Sequence, residues 1–170
     1  RDLHSFRTGR ASDRADPLVG RDDLRLTRWV LDRDRDLPPI PVVAPAGPCI
    51  RFVDGLADRW AEDLAVRAAH AGRDRGPEVD VRPFGLPAAP TEVWRAADVR
   101  VLAGRVRHEP VRPAVGYRVE TPDGVVVVSG HTVLCAEVAD LAARTDVLVY
   151  EGVPSRGGPA QSDPWRFPLA

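Results

Sequence analysis

Two of the four histidines in the chain follow predicted strands; the set is His4, His70, His108 and His131. His108 comes after a strand predicted at 99–106, and His131 after one predicted at 125–128. Sites in α/β domains gather at the carboxyl ends of strands, so these two imidazoles are candidates for one shared site. Imidazole is a common metal ligand, which makes metal binding the chemistry that such a pair favours. The competing interpretation is a pair of solvated or hydrogen-bonded histidines.

The remaining reactive side chains have structural interpretations. His70 ends a predicted amphipathic helix, where a cation suits the helix dipole. Ser129 precedes Gly130, and this pair predicts a tight turn at a strand end rather than a nucleophile. Cys49 and Cys135 match no Cys-x-x-Cys pattern, and no signal peptide is predicted, so we expect two buried free thiols in a cytoplasmic protein.

The first half of the chain predicts helices and a short strand. Apolar residues between Leu24 and Leu31 indicate a short helix or an irregular packed segment. Residues 41–45 predict a short buried strand bounded by prolines. Gly47-Pro48 opens the longest predicted helix, which runs to Gly72 with one apolar face. That face contains Val53, Leu56, Ala57, Trp60 and Leu64, and Trp60 is expected in the core. Residues 74–90, rich in Gly and Pro, predict a surface loop.

The second half changes to a period of two, which indicates strands. Residues 99–106 predict one strand, and residues 115–128 predict a β-hairpin that turns at Asp123-Gly124. The 99–106 strand is expected to lie beside this hairpin. A helix near 134–142 then leads to a second buried strand at 147–149. A helix between two apolar strands implies that those strands pair in parallel. Residues 1–23 are predicted to be irregular, and residues 154–170 to be a coil tail.

Composition limits the classes of function. The 170 residues are 44% hydrophobic and 29% charged, as in a globular domain, and no apolar run reaches the length of a membrane span. The net charge is −1, and all 24 basic residues are Arg. Acidic and basic residues alternate, so no basic stripe predicts tight non-specific nucleic-acid binding, although a small RNA site remains compatible with the sequence.

Five segments together resemble the ribonuclease Z branch of the metallo-β-lactamase superfamily, in order and spacing, over about residues 20–153. A His followed by a Gly-Tyr-Arg strand, as in His108 and Gly116-Tyr117-Arg118, resembles that branch. Two further segments resemble its Ser-Gly-Asp-Thr and its Asp-hydrophobic-Leu-hydrophobic-His-Glu: Ser129-Gly130-His131-Thr132 and Asp146-Val147-Leu148-Val149-Tyr150-Glu151. Residues 26–30 and 41–47 also match. The resemblance implies an α/β fold, here a partial αββα sandwich with a mixed β-sheet, formed by residues 24–153 as the second half of the domain.

The resemblance also implies two zinc ions that activate water to attack a phosphodiester. This sequence keeps part of the implied ligand set. His108 stands at a ligand position, His131 replaces a bridging Asp, and Tyr150 replaces a His. A neutral imidazole offers one lone pair to one metal, so at most one zinc ion is expected. For the first metal motif two alignments stay open: residues 3–7 keep His4, and residues 12–14 keep Asp13.

Three hypotheses follow. The first is a divergent, tRNA 3′-processing-type phosphodiesterase. Its zinc ligands would be His108, His131 and His4, with Asp2 as an additional candidate, and Glu151 would be the supporting residue of the catalytic group. Its substrate would be RNA or a small phosphodiester, and a homodimer fits the family. The second is a non-catalytic relic that serves as a binding or dimerisation module. The third is a piece of a larger enzyme.

Overall fold

The computed structural model describes residues 21–31 and 38–152, with helices and strands in a mixed α/β order. The helices are α1 Arg21–Leu31, α2 Pro48–Asp54, α3 Leu56–Arg59, α4 Ala61–Ala71 and α5 Ala136–Leu141. The strands are β1 Ile40–Pro45, β2 Val79–Phe84, β3 Thr91–Ala96, β4 Val99–Arg105, β5 Val115–Thr121, β6 Gly124–Thr132 and β7 Val147–Gly152. The predicted tail 154–170 and residues 1–20 lie outside the described residues, so the domain limits remain a prediction.

A five-stranded mixed sheet, in the order β3-β4-β5-β6-β7, carries most of the fold. The strands from β3 to β6 pair antiparallel, and β6 pairs with β7 in parallel. The predicted hairpin is confirmed as β5 and β6, with β4 beside it, and α5 connects β6 to β7. The expected α/β class with a mixed sheet is therefore confirmed.

The core of this sheet is formed where α5 lies on two glycines. The side chain of Leu141, 1% exposed, sits over Gly104 of β4 and Gly116 of β5, beside buried Val127. A Cβ at position 116 would lie 3.0 Å from Leu141 Cδ2 and 3.1 Å from two backbone oxygens. The absence of side chains at these glycines therefore lets the helix approach the sheet closely.

Arg118 closes the carboxyl end of α5. Its Nη1 donates to the carbonyl oxygens of Leu141 at 3.1 Å and Ala143 at 2.8 Å. Carbonyls at the end of a helix have no partner within the helix, and a guanidinium both bonds to them and suits the helix dipole. Arg118 thus connects the middle of the sheet to the helix that crosses it.

The opposite face of β6 and β7 is open, which corrects the prediction of two buried strands. Side chains alternate along a strand, so Val127 of β6 packs on the helix side while Val126 and Val128 face the other way. Val126, Val128, Val147 and Val149 are 37%, 41%, 50% and 51% exposed. The apolar runs at 125–128 and 147–149 correctly predicted strands. The burial that was predicted for both faces of these strands is wrong, because one face is exposed.

A second, two-stranded sheet shows that the predicted loop at 74–90 is wrong. Within it, β2 pairs in parallel with β1, with Val42 opposite Val81. The hydroxyl of Tyr117 donates to the carbonyl of Val43 at 3.2 Å and so connects the two sheets. Gly and Pro on both sides of β2 concealed its period of two, and its partner strand lies some forty residues earlier. Strand β3 was also not predicted.

The long helix predicted from Pro48 to Gly72 is wrong as a single element. It is divided at Gly55 and Trp60 into α2, α3 and α4. Trp60 is 42% exposed and not in the core, and it stands at the break between α3 and α4 instead of within a continuous helix. Gly72 does end α4, with φ 63° and ψ 37°, a left-handed conformation that glycine adopts without strain.

The short helix predicted at 24–31 is confirmed as α1, which begins at Arg21. Among the described helices, none has the length and apolar character needed to cross a membrane.

We expect Gly116→Ala to lower the free energy of unfolding by about 1–3 kcal/mol, because the new methyl group overlaps Leu141 and strand β6. Urea denaturation followed by circular dichroism measures this loss. Gly85→Ala is the matched control, since a Cβ at Gly85 has no atom within 4 Å. Equal stability of the two variants would contradict the close packing of α5 on the sheet.

Candidate functional site

The structure brings His108 and His131 together. Their ring centroids are 4.5 Å apart, and the ring planes are inclined at 38°. His131 is the last but one residue of β6, and His108 lies in the loop that follows β4. The predicted juxtaposition of the two imidazoles at the ends of these strands is therefore observed.

The loop with His108 is tied to the end of β6 through Thr132. The hydroxyl of Thr132, which is fully buried, donates to the carbonyl of Arg107 at 2.9 Å and lies 3.2 Å from the Arg107 amide. The amide of Val133 donates to the same carbonyl at 3.0 Å. These contacts hold the residue before His108 against the residue after His131, which places the two rings side by side.

A bulge in β6 determines which way His131 faces, and it corrects the prediction of a turn at Ser129-Gly130. Between the pairs Val128–Val149 and His131–Glu151, β6 advances by three residues and β7 by two. A one-residue shift moves a side chain to the other face of a sheet, so the bulge keeps His131 on the same face as Val128. Gly130 permits it with φ 64°, and Ser129 is fully buried with its hydroxyl donating to Gly130 at 2.7 Å.

His108 has an unsatisfied ring nitrogen. Its Nε2 is buried and has no hydrogen-bond partner in the part of the chain that the structure describes. Buried polar atoms are nearly always paired, so an orphaned imidazole nitrogen next to a second imidazole is the donor set expected of a metal ligand. This nitrogen fits zinc, which accepts His nitrogens together with carboxylate oxygens.

The other predicted ligands are placed only in part. Glu151 lies on β7 directly opposite His131 in the parallel register. His4 and Asp2 lie outside the described residues. Among the side chains that the structure describes, those of residues 23–31 and 38–150, no group of three or more His, Cys, Asp or Glu is arranged to hold a metal ion. The described site is therefore a two-histidine pair.

Tyr150 lies on β7 and contacts the strand that carries His131. Its hydroxyl is 3.5 Å from the carbonyl oxygen of Thr132. Burial, together with a smaller effect of Cys135, raises the pKa of the Tyr150 hydroxyl above its ordinary value. Tyr150 is therefore a neutral hydroxyl near neutral pH.

Arg107 and Glu137 form an ion pair beside the loop that contains His108. The sequence did not indicate this pair. Their side chains pair at 2.9 Å. The pKa of Glu137 is lowered first by a hydrogen bond from its own backbone amide and then by Arg107. Nothing in the local sequence connects two residues thirty positions apart, and only the packing of α5 beside the loop brings them together.

The cysteines are both free thiols, as predicted. Cys135 is buried at the residue before α5, with its sulfur 4.0 Å from the Thr132 hydroxyl, while Cys49 is half-buried. His70 occupies the last turn of α4, as predicted, and is exposed.

Comparison with known proteins identifies relatives of one kind. A scan of the chain against models of protein families finds no match. The chain is 32% identical over 139 residues to ribonuclease Z of Mycolicibacterium gilvum, covering 80% of this chain and 46% of that protein. It is 30% identical over 137 residues to a putative ribonuclease Z of Mycobacterium tuberculosis strain CDC 1551, covering 80% of this chain and 59% of that protein. With ribonuclease Z of Mycolicibacterium paratuberculosis the identity is 33% over 129 residues, 75% of this chain and 44% of that protein. The chain spans about half the length of these curated relatives.

We expect Tyr150 to ionise at a pH above about 10, the ordinary value for tyrosine, because burial disfavours the phenolate. The chain has two tyrosines, so the difference between the ultraviolet titrations of the unchanged protein and Tyr150→Phe isolates this hydroxyl. Circular dichroism at each pH confirms that the protein stays folded. An ionisation at or below the ordinary value would contradict the partial desolvation of this hydroxyl.

Proposed function

The chain belongs to the metallo-β-lactamase superfamily, in the branch of ribonuclease Z, and from this we propose that it carries a metal-dependent phosphodiester-hydrolase site with RNA as its substrate class. The observation that carries the proposal is the pair of imidazoles, His108 and His131, with the buried and unpartnered Nε2 of His108. A lone surface histidine would leave no such unsatisfied atom, because water would bond to it.

His108 and His131 would hold one zinc ion, with His4 as the third ligand. Catalytic zinc sites use three protein ligands and leave a position open, so this set has the right number. Glu151, opposite His131 on β7, would hydrogen-bond to a site residue and orient it. Since His131 stands where the family has a bridging carboxylate, a second metal ion has no bridge, and the site is mononuclear.

When bound, zinc would polarise a phosphoryl oxygen and lower the pKa of water. The residues of the chain supply the positioning. Thr132 holds the His108 loop to β6, and the bulge orients His131. Arg107 is held by Glu137, so its guanidinium supports the loop and is not the principal contact to a phosphate. The neutral hydroxyl of Tyr150 donates a hydrogen bond and cannot replace a histidine as a metal ligand at neutral pH.

The resemblance supports a tRNA 3′-processing type of ancestry for this site. We place the protein in the cytoplasm, where free thiols such as Cys49 and Cys135 are maintained. A homodimer also belongs to this proposal. The exposed valines on the open face of β6 and β7 are apolar surface that a second chain would bury.

A second candidate function is a non-catalytic binding or dimerisation module of the same fold. One observation from the sequence favours it: His131 and Tyr150 stand where the resemblance implies a bridging Asp and a His. Zinc binding separates the two candidates, because a relic without ligands binds no zinc, while the proposed site requires it.

We expect the purified protein to bind about one zinc ion and to hydrolyse bis(p-nitrophenyl) phosphate faster with zinc than without it. His108→Ala and His131→Ala should each lower zinc affinity by more than about 10-fold, since even residues that only support a ligand have effects of 10- to 100-fold. Metal content after dialysis and the release of p-nitrophenol measure the two effects.

His70→Ala is the matched control for metal content, because this histidine lies on α4 and is exposed. Thermal denaturation of each variant excludes misfolding. If the protein holds no zinc, or if His131→Ala changes neither zinc content nor hydrolysis, the hydrolase is excluded and the binding module remains.

A further inference from the structure

A groove between α1 and the end of α4 combines an indole ring, apolar side chains and cationic groups. It encloses about 310 Å³ and is lined by Trp29, Val30, Val66, Arg67, His70 and Arg73, with Asp63 at one side. On α4, residues 63, 66, 67 and 70 follow the helical spacing of three and four, so they share one face. The surface of the groove is therefore partly apolar and partly charged. No residue of α4 is buried, so the face of α4 that lines the groove is accessible.

The Trp29 indole forms one side of the groove, and hydrogen bonds to the segment after α4 hold it in place. Trp29 Nε1 donates to the carbonyl of Arg75 at 3.0 Å, and Arg73 Nη1 donates to the carbonyl of Trp29. Arg25 Nε donates to the carbonyl of Pro77 at 2.6 Å. The guanidinium of Arg73 also lies 5.3 Å from the centre of the Trp29 ring. These contacts fix an aromatic surface beside a guanidinium.

The charges of the groove favour an anion. Asp63 is the one acidic residue among its lining side chains in the described chain, and it pairs with Arg67 Nε at 2.6 Å. Arg67 keeps its other donors, and His70 beside it is exposed. Arg73 Nη2 is buried and has no hydrogen-bond partner among residues 21–31 and 38–152. A bound anion would satisfy donors that the protein leaves without acceptors.

We propose that this groove binds one nucleotide of a single-stranded RNA, away from the histidine pair. The phosphate would contact Arg67, His70 and Arg73, and the base would lie against Trp29 and Val66. Cationic groups beside an aromatic ring are the combination by which proteins hold single strands without reading their sequence. The proposal rests on the proposed function, in which RNA is the substrate.

Fluorescence anisotropy of a fluorescein-labelled single-stranded RNA of about six nucleotides, short enough for one such surface, tests this assignment. We expect Arg67→Ala and His70→Ala each to weaken binding about 3- to 10-fold through a lost phosphate contact. Arg82→Ala is the matched control, because Arg82 forms a similarly exposed pair with Asp80 on β2. Its affinity should equal that of the unchanged protein.

Competition identifies the ligand chemistry. Adenosine monophosphate should displace the RNA at a lower concentration than inorganic phosphate, because its base adds contacts to the Trp29 indole. Equal displacement by both, equal weakening in Arg82→Ala, or no RNA binding at all overturns the proposal. Two measurements separate this result from failure of the proposed function. RNA affinity measured with a metal chelator present reports on the groove alone, whereas hydrolysis of bis(p-nitrophenyl) phosphate with added zinc reports on the histidine pair.

Discussion

The contact between Leu141 and the two glycines beneath it is the interaction on which the rest of the sheet depends. Gly104 and Gly116 leave room for α5 on the sheet, and Leu141 fills that room with almost no exposed surface. Because α5 connects β6 to β7, its position determines where β7 pairs and where β6 ends. Arg118 strengthens the arrangement by bonding to the carbonyls at the end of the same helix. The Gly-Tyr-Arg segment is thus structural in each part: Gly116 admits the helix, Tyr117 connects the two sheets, and Arg118 caps the helix.

The candidate site is an extension of this core. Thr132 follows His131, is buried near the start of α5, and bonds to the residue before His108. The bulge at residues 129–130 then allows Thr132 to face the helix while His131 faces the other side. Packing energy gained in the core is therefore what holds the two imidazoles together, although a buried nitrogen without a partner costs free energy. Such a cost is common where a structure is arranged for a ligand.

The face of β6 and β7 opposite α5 exposes apolar side chains. A sheet that packs a helix on one side and alternates apolar residues on the other is built for a second layer. In the described chain that layer is not present over β6 and β7, and the chain spans about half the length of its curated relatives.

Local chemistry in the sequence determined the hairpin, the crossover helix, the end of α4 at Gly72 and the strands at 99–105 and 115–121. Each of these depends on turn residues or on a periodicity within a few positions. The sequence also located His108 after one strand and His131 near the end of another, and from this we predicted that the two rings meet. The two strands, β4 and β6, lie on either side of β5. Only the tertiary structure decided the pairing of β2 with β1 and the helix breaks at Gly55 and Trp60. The same holds for the bulge at Ser129-Gly130 and the ion pair of Arg107 with Glu137. These features arise from contacts between distant segments or from interruptions within a helical segment, and no pattern within a single segment encodes them.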